Sequence, residues 1–148
     1  MDKIADIMGK DHDRLDGIFQ EFRSTKSNDF ENARKLFSDF KTDLERHIIW
    51  EEDILFPMFE SRTGMYDSGP TAVMRMEHRQ IKGFLEQIHN AISSGNLKTE
   101  EFEKGLIEVL TAHNNKEESI LYPWIDNSIS EDERQQSLLR MKNLPSVG

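Results

Sequence analysis

Cysteine is absent from this chain of 148 residues. That removes disulfides, thiolate metal ligands and cysteine nucleophiles together, so any metal must be held by nitrogen and oxygen. Positive charge is scarce, with 19 Lys and Arg against 28 Asp and Glu and a formal net charge of -9. Binding to phosphate backbones or anionic membrane surfaces relies on Lys and Arg releasing counterions, so neither nucleic acid nor membrane is an expected partner. Long apolar runs are missing as well. The start, Met1-Asp2-Lys3-Ile4-Ala5-Asp6, has no apolar run behind a basic segment, and no uninterrupted apolar stretch reaches bilayer length. The expected location is the cytoplasm. Neither a Gly-rich phosphate loop nor a Ser-His-Asp order is present. What remains is 36% hydrophobic and 32% charged, a balance that suits amphipathic helices in one domain over residues 1–148.

Periodicity supports that class. Ile4, Ile7, Met8, Leu15, Ile18, Phe19 and Phe22 recur at three and four residues and draw one apolar stripe on a first helix, with His12 inside it. The polar run Ser24 to Asp29 breaks the pattern. A second helix resumes at Ala33 and carries Phe37, Phe40, Leu44, His47, Glu51, Leu55 and Met58 inward, with a kink or stop expected at Pro57. A third carries Val73, Met74, His78, Ile81, Leu85 and Ile88. A fourth, with Thr99 as its expected N-cap, carries Leu106, Leu110, His113, Glu117, Leu121 and Trp124. Ser130 and Glu133 fit a capping box that opens a short C-terminal helix, expected to stop before Pro145. The expected fold is all-α, an up-down-up-down four-helix bundle with a short C-terminal helix.

The stretch HIIWEEDILFP, His47 to Pro57, returns as HNNKEESILYP, His113 to Pro123. His12 and His78, His47 and His113, and Glu51 and Glu117 are each 66 residues apart, as are Asp11 and Glu77, and Glu52 and Glu118. The chain therefore reads as two copies of one helical hairpin. In an antiparallel hairpin, residues at equal distance from the turn share a height. The midpoint between His12 and His47 falls beside Asn28-Asp29, that between His78 and His113 at Gly95-Asn96, and that between Glu51 and His78 beside Gly64. All six polar side chains are thus expected in one layer.

A lone inward histidine is ordinarily a core residue with one hydrogen bond. Six inward polar groups are different, because each left without a partner costs about 2 to 7 kcal/mol, and the sum exceeds the roughly 5 to 15 kcal/mol net stability of a domain. Lys82, one turn from His78, is the inward cation expected nearest to them, and one ammonium cannot serve six groups. Six nitrogen and oxygen donors exceed the needs of one tetrahedral ion and suit two metals, with a single metal or a metal-free layer as alternatives. His89 lies too far along its helix to join. Glu52 and Glu118 read as outer-face charges, with a role as hydrogen-bond acceptors for the histidines as the lesser reading.

One inward His on the first helix, His47-x-x-x-Glu51 on the second, one His on the third and His113-x-x-x-Glu117 on the fourth resemble the hemerythrin-like (HHE cation-binding) domain over Met1 to about Ser128. The resemblance implies two non-haem iron ions with an oxo or hydroxo bridge. His12 and His47 would bind one ion, His78 and His113 the other, and Glu51 and Glu117 would bridge them. It implies binding of, or reaction with, O2, NO or peroxide in an oxidative or nitrosative stress response. A reversible O2 carrier or sensor, or an iron-storage module, is the alternative, and the electron donor is left open. Oxygen carriers of the family place two histidines four residues apart on the third helix, where this chain has Met74 and Lys82 beside His78. They also have an Asp five residues after the fourth-helix His, where this chain has Glu118, so the resemblance supplies no seventh ligand. Family members that repair iron centres use a cysteine-containing segment, and a chain without cysteine is not expected to share that role.

Overall fold

A computed structural model describes residues 2–144. Its elements are helices α1 (Ile4–Thr25), α2 (Phe30–Ile49), α3 (Phe56–Thr63), α4 (Pro70–Ser93), α5 (Glu100–Lys116), α6 (Tyr122–Ser128) and α7 (Glu131–Asn143), with π-helical segments at Trp50–Leu55 and Glu117–Leu121. Four arms form an up-down-up-down bundle: α1, then α2 running through its π segment into α3, then α4, then α5 running through its π segment into α6. Consecutive arms pack side by side, and α6 closes the ring against α1. The short α7 lies across the first π segment, where Trp50 donates its indole N–H to the Met141 carbonyl at 3.1 Å. Its N-terminus is the expected capping box, with Glu133 N–H donating to Ser130 Oγ at 3.1 Å and Ser130 N–H to Glu133 Oε1 at 2.9 Å. The helix ends at Asn143; Pro145 lies outside the described residues.

Neither proline ends its arm. Pro57 and Pro123 have no amide hydrogen to give the carbonyls four residues back, at Asp53 and Ser119, so the ladder changes step just before each of them. Phe56 N–H reaches the carbonyl of Glu51, and Tyr122 N–H reaches that of Glu117, each five residues back. Each proline then sits in the first turn of the resumed helix, where a missing donor costs nothing. This change of step turns Tyr122 inward and leaves Trp124, expected on the inner face, 39% exposed. Gly64 ends α3 in the left-handed region at φ 77°, a conformation that favours glycine.

Apolar packing divides into two clusters. Phe19, Phe22, Phe37, Phe40, Ile81, Leu85 and Leu106 fill one end of the bundle. Ile4, Met8, Leu55, Phe56, Phe59, Leu121 and Ile125 fill the other. The first is closed at the loop end by Lys26, whose ammonium donates to Glu103 Oε2 at 2.5 Å and to Thr99 Oγ1 at 3.1 Å. Thr99 occupies the N-cap position of α5 as expected, yet its hydroxyl bonds the Glu103 carboxylate and caps no amide. Lys82, expected inward, is exposed. Among the described residues no helix is long and apolar enough to cross a membrane.

Candidate metal centre

Between the two apolar clusters lies the polar layer that the spacing predicts. His12, His47, Glu51, His78, His113 and Glu117 are all buried, none more than 3% exposed. α1 carries His12, α2 carries His47, α4 carries His78 and α5 carries His113, while the two glutamates lie in the first turn of the π segments. The histidines pair across their hairpins, His12 with His47 and His78 with His113, each pair with ring centroids 4.8 Å apart. Donor atoms of Glu51, His78, His113 and Glu117 lie within 4.8 Å of one another, and so do those of His12, His47 and Glu117.

The carboxylates reach both pairs. Glu117 puts Oε1 3.2 Å from His12 Nε2 and Oε2 3.2 Å from His113 Nε2. Glu51 puts Oε1 3.0 Å from His78 Nε2 and 3.9 Å from His47 Nε2. One carboxylate per hairpin thus spans the two histidine pairs, the placement that a ligand shared by two cations requires.

Each ring is fixed from behind by a carboxylate on a different arm. Asp11 takes Nδ1 of His47 at 2.8 Å, Glu77 that of His113 at 2.9 Å, Glu52 that of His78 at 2.6 Å and Glu118 that of His12 at 3.1 Å. These contacts assign the proton of a neutral imidazole to Nδ1 and aim the Nε2 lone pair inward, the arrangement typical of metal-ligating histidines. Glu52 and Glu118 are therefore not simple outer-face charges. An acidic partner behind each ring holds it in place, and this duty governs them even where, as for Glu118, much of the side chain meets solvent.

The electrostatics are those of a site built around positive charge. Burial opposes charging of His12, but the hydrogen bond and charge of Glu117 outweigh it and push the ring up to about 9. Burial likewise opposes charging of His78, but its hydrogen bonds to Glu51 and Glu52 push it up to about 9, and His113 is raised in the same way by Glu117. Burial raises the Glu51 carboxyl, and the neighbouring Glu117 raises it further. Glu117 is opposed by burial too, yet the close approach of Glu51, His113 and His12 holds it well below the usual carboxylate range. Glu117 Oε2 is buried without a hydrogen-bond partner among the described residues, despite facing His113 Nε2. An unsatisfied buried carboxylate oxygen among converging imidazole nitrogens is an arrangement that a divalent cation satisfies, so the residues fit a metal.

One residue of the layer is missed by the sequence reading. The Tyr122 hydroxyl donates towards Glu51 Oε2 at 2.7 Å and Glu117 Oε1 at 2.9 Å, and it lies 3.2 Å from His12 Nε2 and 3.3 Å from His47 Nε2. The signal was present in the repeat, where Tyr122 stands 66 residues after Phe56 and is the one aromatic of the two with a donor atom. Phe56 instead stacks on the His78 ring at 5.8 Å, with planes only 7° apart. His89 is exposed and takes no part, as its distance along the helix requires.

Fold and site together define a helical bundle with a buried histidine and carboxylate cluster for cations. The hemerythrin HHE cation-binding domain matches residues 3–125, and the chain belongs to that family. Two curated relatives align over 133 residues, 90% of this chain. A protein named DNA nickase from Nostoc sp. is 30% identical, the match covering 36% of its length, and an uncharacterized hemerythrin-like protein from Schizosaccharomyces pombe is 28% identical, covering 64%. The chain thus spans less than two thirds of the length of either relative. No solved structure gives a significant match.

Proposed function

We propose that this chain is a non-haem di-iron protein whose reduced site reacts with O2, NO or peroxide. The observation that carries the reading is the single buried layer in which Glu51 and Glu117 each face one histidine of both pairs, while Asp11, Glu52, Glu77 and Glu118 orient all four rings. His12 and His47 would hold one ion, His78 and His113 the other, and Glu51 and Glu117 both. Iron held there would supply one-electron redox chemistry with small oxidants.

The protein supplies the setting. Leu15, Leu44, Ile81 and Leu110 border the layer with apolar surface that admits small neutral gases and excludes bulk water. The carboxylates behind the rings keep the Nε2 lone pairs free of protons once a cation is present. Neither Met74, which is buried, nor Lys82, which is exposed, adds the second third-helix histidine of the oxygen carriers, and this favours oxidation over reversible storage. A role in oxidative or nitrosative stress follows from the ligands such a site accepts. The metal-facing atoms are buried in the bundle and the net charge of -9 disfavours a phosphate backbone, which supports a small ligand over nucleic acid.

Elemental analysis of protein expressed with ample iron tests the metal, with about two irons per chain expected from the count of donors. One zinc and no iron would overturn the reading. Stopped-flow mixing of the reduced protein with O2 tests the chemistry. Rapid, irreversible oxidation of the iron is expected, whereas a spectrum that persists for hours and reverses under vacuum would favour the carrier.

A further inference from the structure

The surroundings of Tyr122 set it apart from a hydroxyl that merely satisfies a buried neighbour. It is fully buried and has one proton, yet its oxygen lies 2.7 to 3.3 Å from four separate donor atoms: Glu51 Oε2, Glu117 Oε1, His12 Nε2 and His47 Nε2. In an octahedral shell with donors about 2.1 Å from the ion, every donor has four neighbours at that length times the square root of two, roughly 3 Å. The four contacts scatter around this edge length, and so does the 3.2 Å between His12 Nε2 and Glu117 Oε1. The phenol oxygen therefore stands where one vertex of such a shell belongs, on the side of the layer that holds His12 and His47.

We propose that Tyr122 Oη is a fifth protein ligand of the ion held by His12 and His47, a role that rests on the di-iron reading above. The phenol gives its proton to solvent as the ion enters, and the oxygen is left as a phenolate donor. The equivalent place in the other hairpin is Phe56, whose ring lies flat against His78 and offers no donor. The two ions are then unequal. The one near Tyr122 would have five protein donors and the one held by His78 and His113 four, so the latter keeps the freer position for O2, NO or peroxide. An added anionic donor favours ferric over ferrous iron, which also favours oxidation over reversible release. The step that brings Tyr122 here is the π segment. By joining the amide of residue 122 to the carbonyl of residue 117, it sets the aromatic over its own bridging glutamate.

The test is the visible and resonance Raman spectrum of the air-oxidised protein, with iron measured on the same sample. A wild-type chain with two irons should show a phenolate-to-iron(III) charge-transfer band and, with excitation into it, phenolate ring vibrations. Tyr122→Phe should lose the band completely while keeping at least the ion of His78 and His113. The remaining tyrosine, Tyr66, is 59% exposed and contributes none. A wild-type chain that holds two irons without phenolate vibrations overturns this proposal alone, whether or not the variant folds. A variant that retains the band overturns it as well. A chain that takes up no iron overturns the di-iron reading, and this proposal with it.

Discussion

Removing the metal should make stability depend steeply on pH, because protons then take the place of the cation. In the metal-free chain His12 and His78 are both raised from 6.5 to about 9, chiefly against burial and through hydrogen bonds to Glu117 and to Glu51 and Glu52. A group whose folded value lies above its unfolded one adds stability that is complete below pH 6.5 and is lost as the pH rises through about 9. At 1.36 kcal/mol per unit, one such histidine contributes about 3 kcal/mol. The two share Glu51 and Glu117, so their contributions do not add, and about 3 kcal/mol is the working minimum. Glu51 is also raised and acts in the same direction. Asp11, Glu52 and Glu77 are lowered, so their contributions are complete above the usual carboxylate range and do not change in this window. For a chain of this size 1 kcal/mol moves the melting temperature by about 2 to 4 °C, so the chelated protein should melt roughly 6 to 12 °C lower at pH 9.5 than at pH 6.5. Iron-loaded protein should change much less, since the cation has displaced those protons, and loading below pH 8 should release protons that calorimetry in two buffers can count. Circular dichroism melts of chelated and loaded samples decide it. A chelated protein equally stable or more stable at pH 9.5 would refute the electrostatic account of the layer.

Glu51→Ala or Glu117→Ala should lose both irons together, because each carboxylate faces both histidine pairs, whereas Glu108→Ala at an exposed position should leave metal content unchanged by elemental analysis. Asp11→Ala and Glu77→Ala, which leave His47 and His113 without their Nδ1 partners, should weaken metal binding by roughly 10 to 100-fold in competition titrations with a chelator. Lys26→Met should destabilise the fold by about 1 to 3 kcal/mol in urea denaturation, because the buried Glu103 carboxylate loses its ammonium partner and keeps only Arg23 and the Thr99 hydroxyl, yet iron content should hold since the pair lies at the loop end of the bundle. Adding Glu103→Leu to that variant should restore much of the loss.

Much of this architecture is legible from periodicity. Three-and-four spacing places His12, His47, His78 and His113 on the apolar stripes of four helices, and the 66-residue repeat with equal distances from the turns puts them at one height. These are properties of the helix itself, so local chain geometry suffices to bring six side chains into one layer. The outer carboxylates are less legible. Glu52 and Glu118 follow the bridging positions at once, where an ideal helix points them away from the layer, and only the approach of neighbouring arms gives them His78 and His12. Asp11 and Glu77 likewise acquire their partners from across each hairpin.

The ladder change before each proline marks the limit of what the sequence by itself determines. Composition, the absence of cysteine and helical periodicity are enough for the bundle class and for the donor set, because they depend on residue chemistry and a fixed rise per turn. They point to a kink or stop at Pro57 and to an inward Trp124, because an unbroken 3.6-residue period places Trp124 on the inner face. A missing amide can end a helix, kink it or widen one turn, and the folded chain takes the wider turn at both prolines. That turn moved Trp124 towards solvent and carried the Tyr122 hydroxyl to the centre of the layer. There it meets Glu51 from the other hairpin and His12 from the first helix, contacts between residues 71 and 110 positions apart that no local rule encodes.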